Sequence, residues 1–83
     1  MSIVTTEDDR KLIGANIRRA REDADRISQI NLAIELNQQL GTKFKDTDVS
    51  RWENGHRSPS RATMRAIAEI LGVSLDRLNG LER

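Results

Sequence analysis

Residues 48–60 constrain the fold of this chain more than any other stretch, because they combine a short helix, a stop and a new helix start. Val49 and Trp52 are three positions apart and share one face of a helix, which makes both of them candidates for the core. Gly55 is expected to end this helix in the left-handed conformation, and Ser60 to cap the next one. A buried aromatic side chain with polar side chains on the other face of a short helix suits contact with DNA base edges.

The rest of the chain predicts four more helices and no strand. Thr6 and an aspartate three positions later approximate a capping box, so the first helix is expected over about 6–23. Ser28 is expected to cap a second helix that Gly41 ends, and the third helix is expected over about 46–54. A fourth helix should end at a glycine, and a short fifth one should follow Ser74. Apolar side chains at helical spacing predict a core that contains Ile17, Leu32, Ala33, Leu36, Val49, Trp52, Ile67 and Leu71.

Length and composition favour one small cytoplasmic domain. The chain has 83 residues and no cysteine, which excludes disulfides and thiolate metal sites and fits a reducing compartment. No apolar run approaches the roughly 20 residues that span a bilayer, and the N-terminus does not resemble a signal peptide. We expect residues 1–5 to be a flexible N-terminus and residues 6–81 to be the folded domain, without a membrane partner.

The charge distribution is more informative than the net charge, which is only +1. Residues 39–65 carry six basic and three acidic side chains, and they include the predicted third helix. Such charges often do no more than solvate helix faces, but their clustering favours a surface that faces phosphates.

No catalytic constellation is legible in the sequence. His56 is the only histidine, and no residue at motif spacing would orient it or activate a serine. We therefore expect no enzyme activity, no metal, no cofactor and no small-molecule ligand.

Two segments resemble the lambda-repressor-like (Cro/C1-type, XRE) helix-turn-helix family: Arg-Trp-Glu-Asn-Gly at 51–55 and Gly-Val-Ser-Leu-Asp at 72–76. The similarity spans about residues 12–78, and its other markers are Ile17-Arg18-Arg19-Ala20-Arg21, Ser28-Gln29 and Leu32-Ala33. It implies an all-α, compact five-helix domain in which the second and third helices form the helix-turn-helix. The sequence departs from the family in one extra residue at 24–26 and in a longer link at 37–46, so the link between these two helices is expected to be extended.

The resemblance implies that the third helix lies in the major groove of DNA. The expected base contacts are Lys45, Thr47, Asp48 and Arg51. Arg51 has a planar fork that matches the O6 and N7 acceptors of guanine, and Thr47 suits a thymine methyl group. Asp46 is expected to cap the third helix. For Asp48 three roles stay open: a cap, an acceptor for cytosine, or a partner that orients neighbouring basic side chains.

Phosphate contacts are expected where polar side chains and free backbone N–H groups meet at helix N-termini and in the loop after the third helix. The expected residues are Gln29, Lys43, Asn54, His56, Arg57, Ser60 and Arg61. For Gln29 the alternative is an ordinary surface glutamine that follows an N-cap. The resemblance also implies a structural ion pair between Arg21 and Glu53, which would join the first helix to the third.

Together these features predict sequence-specific binding of double-stranded DNA by a transcriptional regulator, specifically a repressor. Because one domain covers one half-site, we expect a weak homodimer on a near-palindromic operator. Leu75, Leu78 and Leu81 offer an apolar patch for the dimer, although the first two also suit the core. The alternative function is a protein-interaction module of the same fold, antitoxin-like or coactivator-like, with weak DNA binding. The low net charge favours that alternative, and so do the two aspartates, Asp46 and Asp48, on the helix expected to contact bases.

Overall fold

The computed structural model describes residues 7–25 and 27–80, which form five helices and no strand. In chain order the helices are α1 (Glu7–Asp23), α2 (Gln29–Leu40), α3 (Asp46–Glu53), α4 (Arg61–Leu71) and α5 (Leu75–Asn79). The predictions of an all-α fold, of five helices and of an extended link between α2 and α3 are confirmed. The predicted cap at Thr6, the segment 1–5 and Leu81 lie outside the described residues.

The helix starts and stops follow from capping chemistry that is visible in the sequence. The hydroxyl oxygens of Ser28, Ser60 and Ser74 each accept a hydrogen bond from the backbone N–H three residues later, at 3.0–3.2 Å. At the other end of α3, Gly55 adopts the left-handed conformation with φ +76°. The predicted caps of α2, α4 and α5 and the predicted stop of α3 are therefore confirmed.

The core lies where α3 is enclosed by α1 and α2, while α4 packs against α2 and α5 closes against α1 and α4. All eight side chains predicted for the core are buried, and Trp52 is 6% exposed. Leu78 is completely buried, and Leu75 is partly buried against the same cluster. Leu78 therefore belongs to the core and has no surface to offer a second copy of the chain.

The crossing of α1 over α3 depends on a glycine that the sequence analysis did not single out. A Cβ atom on Gly14 would lie 2.2 Å from the carbonyl oxygen of Trp52 and 2.6 Å from that of Glu53. These distances are far inside van der Waals contact, so the two helix backbones can approach this closely only because residue 14 has no side chain.

Within residues 7–25 and 27–80, no helix is both long enough and apolar enough to cross a membrane.

Candidate nucleic-acid interface

The two faces of α3 have opposite environments. Val49 is completely buried, and Trp52 is nearly so, on the side that packs against α1 and α2. Thr47 and Arg51 are exposed on the other side. This division follows from the helical period, because positions 49 and 52 lie on one stripe and positions 47 and 51 on another.

At its C-terminal end, α3 is anchored by the buried carboxylate of Glu53, which is 8% exposed. Arg21 on α1 donates two hydrogen bonds to it, from Nε to Oε2 at 2.6 Å and from Nη2 to Oε1 at 3.0 Å. Its Nη1 donates to the backbone carbonyl of Ile27 at 2.8 Å. The hydrogen bond to Glu53 raises the pKa of the Arg21 guanidinium, against a smaller opposing effect of burial.

The residues expected to form a structural ion pair are therefore in bidentate contact, and a third side chain joins them. Gln29 at the start of α2 donates from Nε2 to Oε1 of Glu53 at 2.9 Å. One hydrogen of the Gln29 amide is thus used within the domain, and the second makes no hydrogen bond within the described part of the chain. The Glu53 carboxylate joins α1, the start of α2 and the end of α3, and Arg21 also holds the turn before α2 through Ile27.

At its N-terminal end, α3 is positioned by the link that follows α2, and here the key side chain is Asn37. Its Nδ2 donates to the carbonyl oxygen of Phe44 at 2.9 Å, and its Oδ1 accepts from the backbone N–H of Phe44 at 2.7 Å. The same Oδ1 accepts from the hydroxyl of Thr42 at 2.8 Å. The Phe44 ring in turn meets Trp52 edge to face, with ring centroids 4.9 Å apart. The extended link is therefore a defined structure that is attached to the core.

The expected cap at Asp46 is wrong, because the acceptor at the start of α3 is Asp48. Asp48 accepts from the backbone N–H of Lys45, the N-cap residue, at 2.8 Å through Oδ2. Asp46 is exposed in the first helical turn, where its charge still complements the helix dipole. This finding supports the capping role among the three that were open for Asp48.

Most of the side chains expected to contact DNA are exposed and make no hydrogen bond or ion pair within the described part of the chain. They are Lys43, Lys45, Thr47, Arg51, His56, Arg57 and Arg61. Two other candidates are engaged internally. Asn54 donates to the Ser50 hydroxyl at 3.2 Å, and the Ser60 hydroxyl donates to Thr63 Oγ1 at 2.9 Å while it caps α4.

Among the described residues, no group of acidic, histidine or cysteine side chains could hold a metal ion.

A family model described as helix-turn-helix matches residues 17–78, which is most of the chain and includes α2, α3, α4 and most of α5. The chain belongs to the lambda-repressor-like helix-turn-helix family. Comparisons with curated proteins and with solved structures gave no match. The family consists of DNA-binding regulatory domains, so this helix-turn-helix chain is a DNA-binding domain of the kind found in transcription regulators.

Sequence reasoning missed Asn37 and the contact of Phe44 with Trp52 in the helix-turn-helix, and Gly14 on α1. Asn37 had a recognisable signal, because it is a polar residue one turn before the glycine that ends α2. From there its side chain can hydrogen-bond the backbone that follows the glycine. Gly14 also had one, since a glycine in the middle of an amphipathic helix is unfavourable unless a close backbone contact requires it.

Proposed function

We propose that this domain binds a specific sequence of double-stranded DNA through the exposed face of α3 and acts as a transcriptional repressor. The observation that carries the proposal is the set of exposed polar side chains without internal partners on α3, on the link before it and in the loop after it. The eight residues of α3 give a helix about 12 Å long, which fits within a major groove about 12 Å wide.

In this arrangement Arg51 donates its planar fork to guanine O6 and N7, and Thr47 contacts a thymine methyl group. Lys45 reaches a base edge from the start of α3. Phosphate contacts come from both sides of the helix, from Lys43 on the link before it and, after it, from His56 and Arg57 in the loop and Arg61 at the start of α4. On α2, the second amide hydrogen of Gln29 is available to a phosphate.

A weak homodimer on a near-palindromic operator completes the proposal. The two half-sites of such an operator lie about 34–36 Å apart along the DNA. The longest dimension of the domain is 36 Å, so two copies fit side by side on one face of the duplex. Because Leu78 is buried, the contact between copies uses other surface and is expected to be small.

The test is a titration with a mixed DNA library at two salt concentrations, followed by sequencing of the bound fraction. We expect enrichment of a near-palindrome and an affinity that falls steeply with salt, as several phosphate contacts require. Weak binding without enrichment would contradict a sequence-specific regulator.

On the enriched operator, Arg51→Ala is expected to weaken binding by about 10–100-fold and to relax specificity at one base pair, because a bidentate base contact is lost. Arg18→Ala is the matched control, since it removes one positive charge from an exposed ion pair on α1. Equal affinities for the two variants would argue against Arg51 as a base reader.

A second candidate function, binding to another protein, is favoured by one observation. Ile30 and Ile34 on α2 are 55% and 46% exposed, and they border a groove shared with Phe44 and Asp46 at the start of α3. The test replaces both isoleucines by serine and measures DNA affinity and regulation in cells. If the domain acts through DNA alone, both should equal those of the wild type. Loss of regulation at unchanged DNA affinity would instead support a protein partner.

A further inference from the structure

We propose that Asn37 is a positioning residue for DNA binding, which holds the link between α2 and α3 in one conformation so that Lys43 and Lys45 face the DNA. The inference rests on the proposed DNA binding of this domain. It concerns the part of the chain that departs most from the family pattern, residues 37–46, in which residues 41–45 form the link between α2 and α3.

Asn37 contacts nearly every residue of the first part of this link. Its backbone carbonyl accepts from the N–H of Gly41 at 2.8 Å, and its side-chain oxygen accepts from the Thr42 hydroxyl and from the Phe44 N–H. Its Nδ2 returns a hydrogen bond to the Phe44 carbonyl. The amide of Asn37 thus donates to and accepts from Phe44 as a paired peptide group in a strand would.

The two lysines of the link are exposed on either side of Phe44, whose ring packs on Trp52. Lys45 has an extended conformation, with φ −113° and ψ 169°. Phe44 points inward onto Trp52, and both lysines are exposed.

Both ends of this arrangement are fixed to the domain. The Asn37 contacts to Thr42 and Phe44 bind the link to α2, and the Lys45 N–H donates to Asp48 on α3. A link without these contacts would have to be ordered when DNA binds, at a cost in conformational entropy that lowers affinity. An asparagine suits the position because one short side chain both donates and accepts, whereas leucine can do neither and ionised aspartate cannot donate.

The experiment is a titration of the enriched operator over a range of salt concentrations with wild-type protein and Asn37→Ala. We expect about tenfold weaker binding, because the link must now be ordered on association. We also expect the slope of log affinity against log salt to become shallower by about one, since loss of the Lys43 phosphate contact removes about 0.9. A residue that served stability alone would leave this slope unchanged.

Asn16→Ala is the matched control. It removes another asparagine side chain that donates to a backbone carbonyl, from Nδ2 of Asn16 to Leu78 at 3.1 Å, at a place remote from the link. Its affinity and salt slope should equal those of the wild type at temperatures where both variants are folded. A shallower slope in this control as well would overturn the proposal.

The decisive comparison repeats Asn37→Ala in a background that carries Lys43→Ala and Lys45→Ala. If Asn37 acts through the lysines, its replacement there should change affinity by less than about twofold, the usual limit of additivity. An equal loss in both backgrounds would overturn the proposal.

If Asn37→Ala does not fold, Thr42→Val removes one of the same hydrogen bonds and should shift affinity and slope in the same direction by less. An unchanged affinity and slope in Thr42→Val would then overturn the proposal.

Wild-type affinity and slope in a folded Asn37→Ala protein would overturn this inference and leave the proposed DNA binding intact. Failure of the wild type to bind any DNA in the library would overturn both.

Discussion

The two ends of α3 are positioned by different chemistry. At the C-terminal end, one buried carboxylate accepts hydrogen bonds from Arg21 and Gln29, so that charge is shared among three segments. At the N-terminal end, a neutral amide and an aromatic contact hold a partly exposed link. Buried charge is costly to leave unpaired, whereas neutral hydrogen bonds near the surface are replaced by water at small cost. We therefore expect the first end to dominate stability and the second to affect binding more than stability.

The largest effect should come from Glu53→Ala, which leaves the guanidinium of Arg21 partly buried without its carboxylate. Removal of one partner from a buried ion pair costs about 3–5 kcal/mol in the free energy of unfolding, a large share of a small domain's stability. Urea denaturation followed by circular dichroism measures it. Glu22→Ala is the control, because the Arg18–Glu22 pair is exposed and should contribute little. An unfolding free energy equal to that of the wild type in Glu53→Ala would show that this end of α3 does not dominate stability.

The next effect concerns the same end of α3, where α1 crosses it. Gly14→Ala should destabilise the domain by about 2–3 kcal/mol, because the new Cβ would press on backbone carbonyls that have no freedom to move. Gly41→Ala sharpens the test, since a Cβ there meets nothing within 4 Å and the cost is limited to left-handed backbone strain of about 1–2 kcal/mol. A Gly14→Ala protein as stable as the wild type would mean that α1 lies further from α3.

The smallest effect should be found at the other end of α3. Asp48→Ala removes the acceptor for the Lys45 N–H and is expected to cost about 0.5–1 kcal/mol in unfolding free energy. Asp46→Ala should leave stability nearly unchanged, because Asp46 is exposed and accepts no hydrogen bond within the described residues. The denaturant midpoints of the two variants measure this difference. A larger loss of stability in Asp46→Ala than in Asp48→Ala would show that Asp46 is the cap.

Local sequence chemistry predicted most of the fold. The serine caps, the glycine stops and the buried stripe on each helix depend on residues within one or two turns of one another, and spacing alone reveals them. Arg21 and Glu53 were paired by family resemblance, since nothing in their separation of 32 residues indicates contact. The DNA-contacting residues stay a prediction, which the exposure of Arg51 and Thr47 supports.

The sequence by itself therefore determined the helices, their ends, the core side chains and the membership of a DNA-binding family. Only the tertiary structure decided that Gln29 turns one amide hydrogen to Glu53, that Gly14 lies against the carbonyls of α3, and that Asn37 binds both backbone groups of Phe44. The physical reason is that caps and helical stripes are set by neighbours along the chain. Contacts between helices depend on crossing distances and on the path of the link, which appear only when the elements pack together.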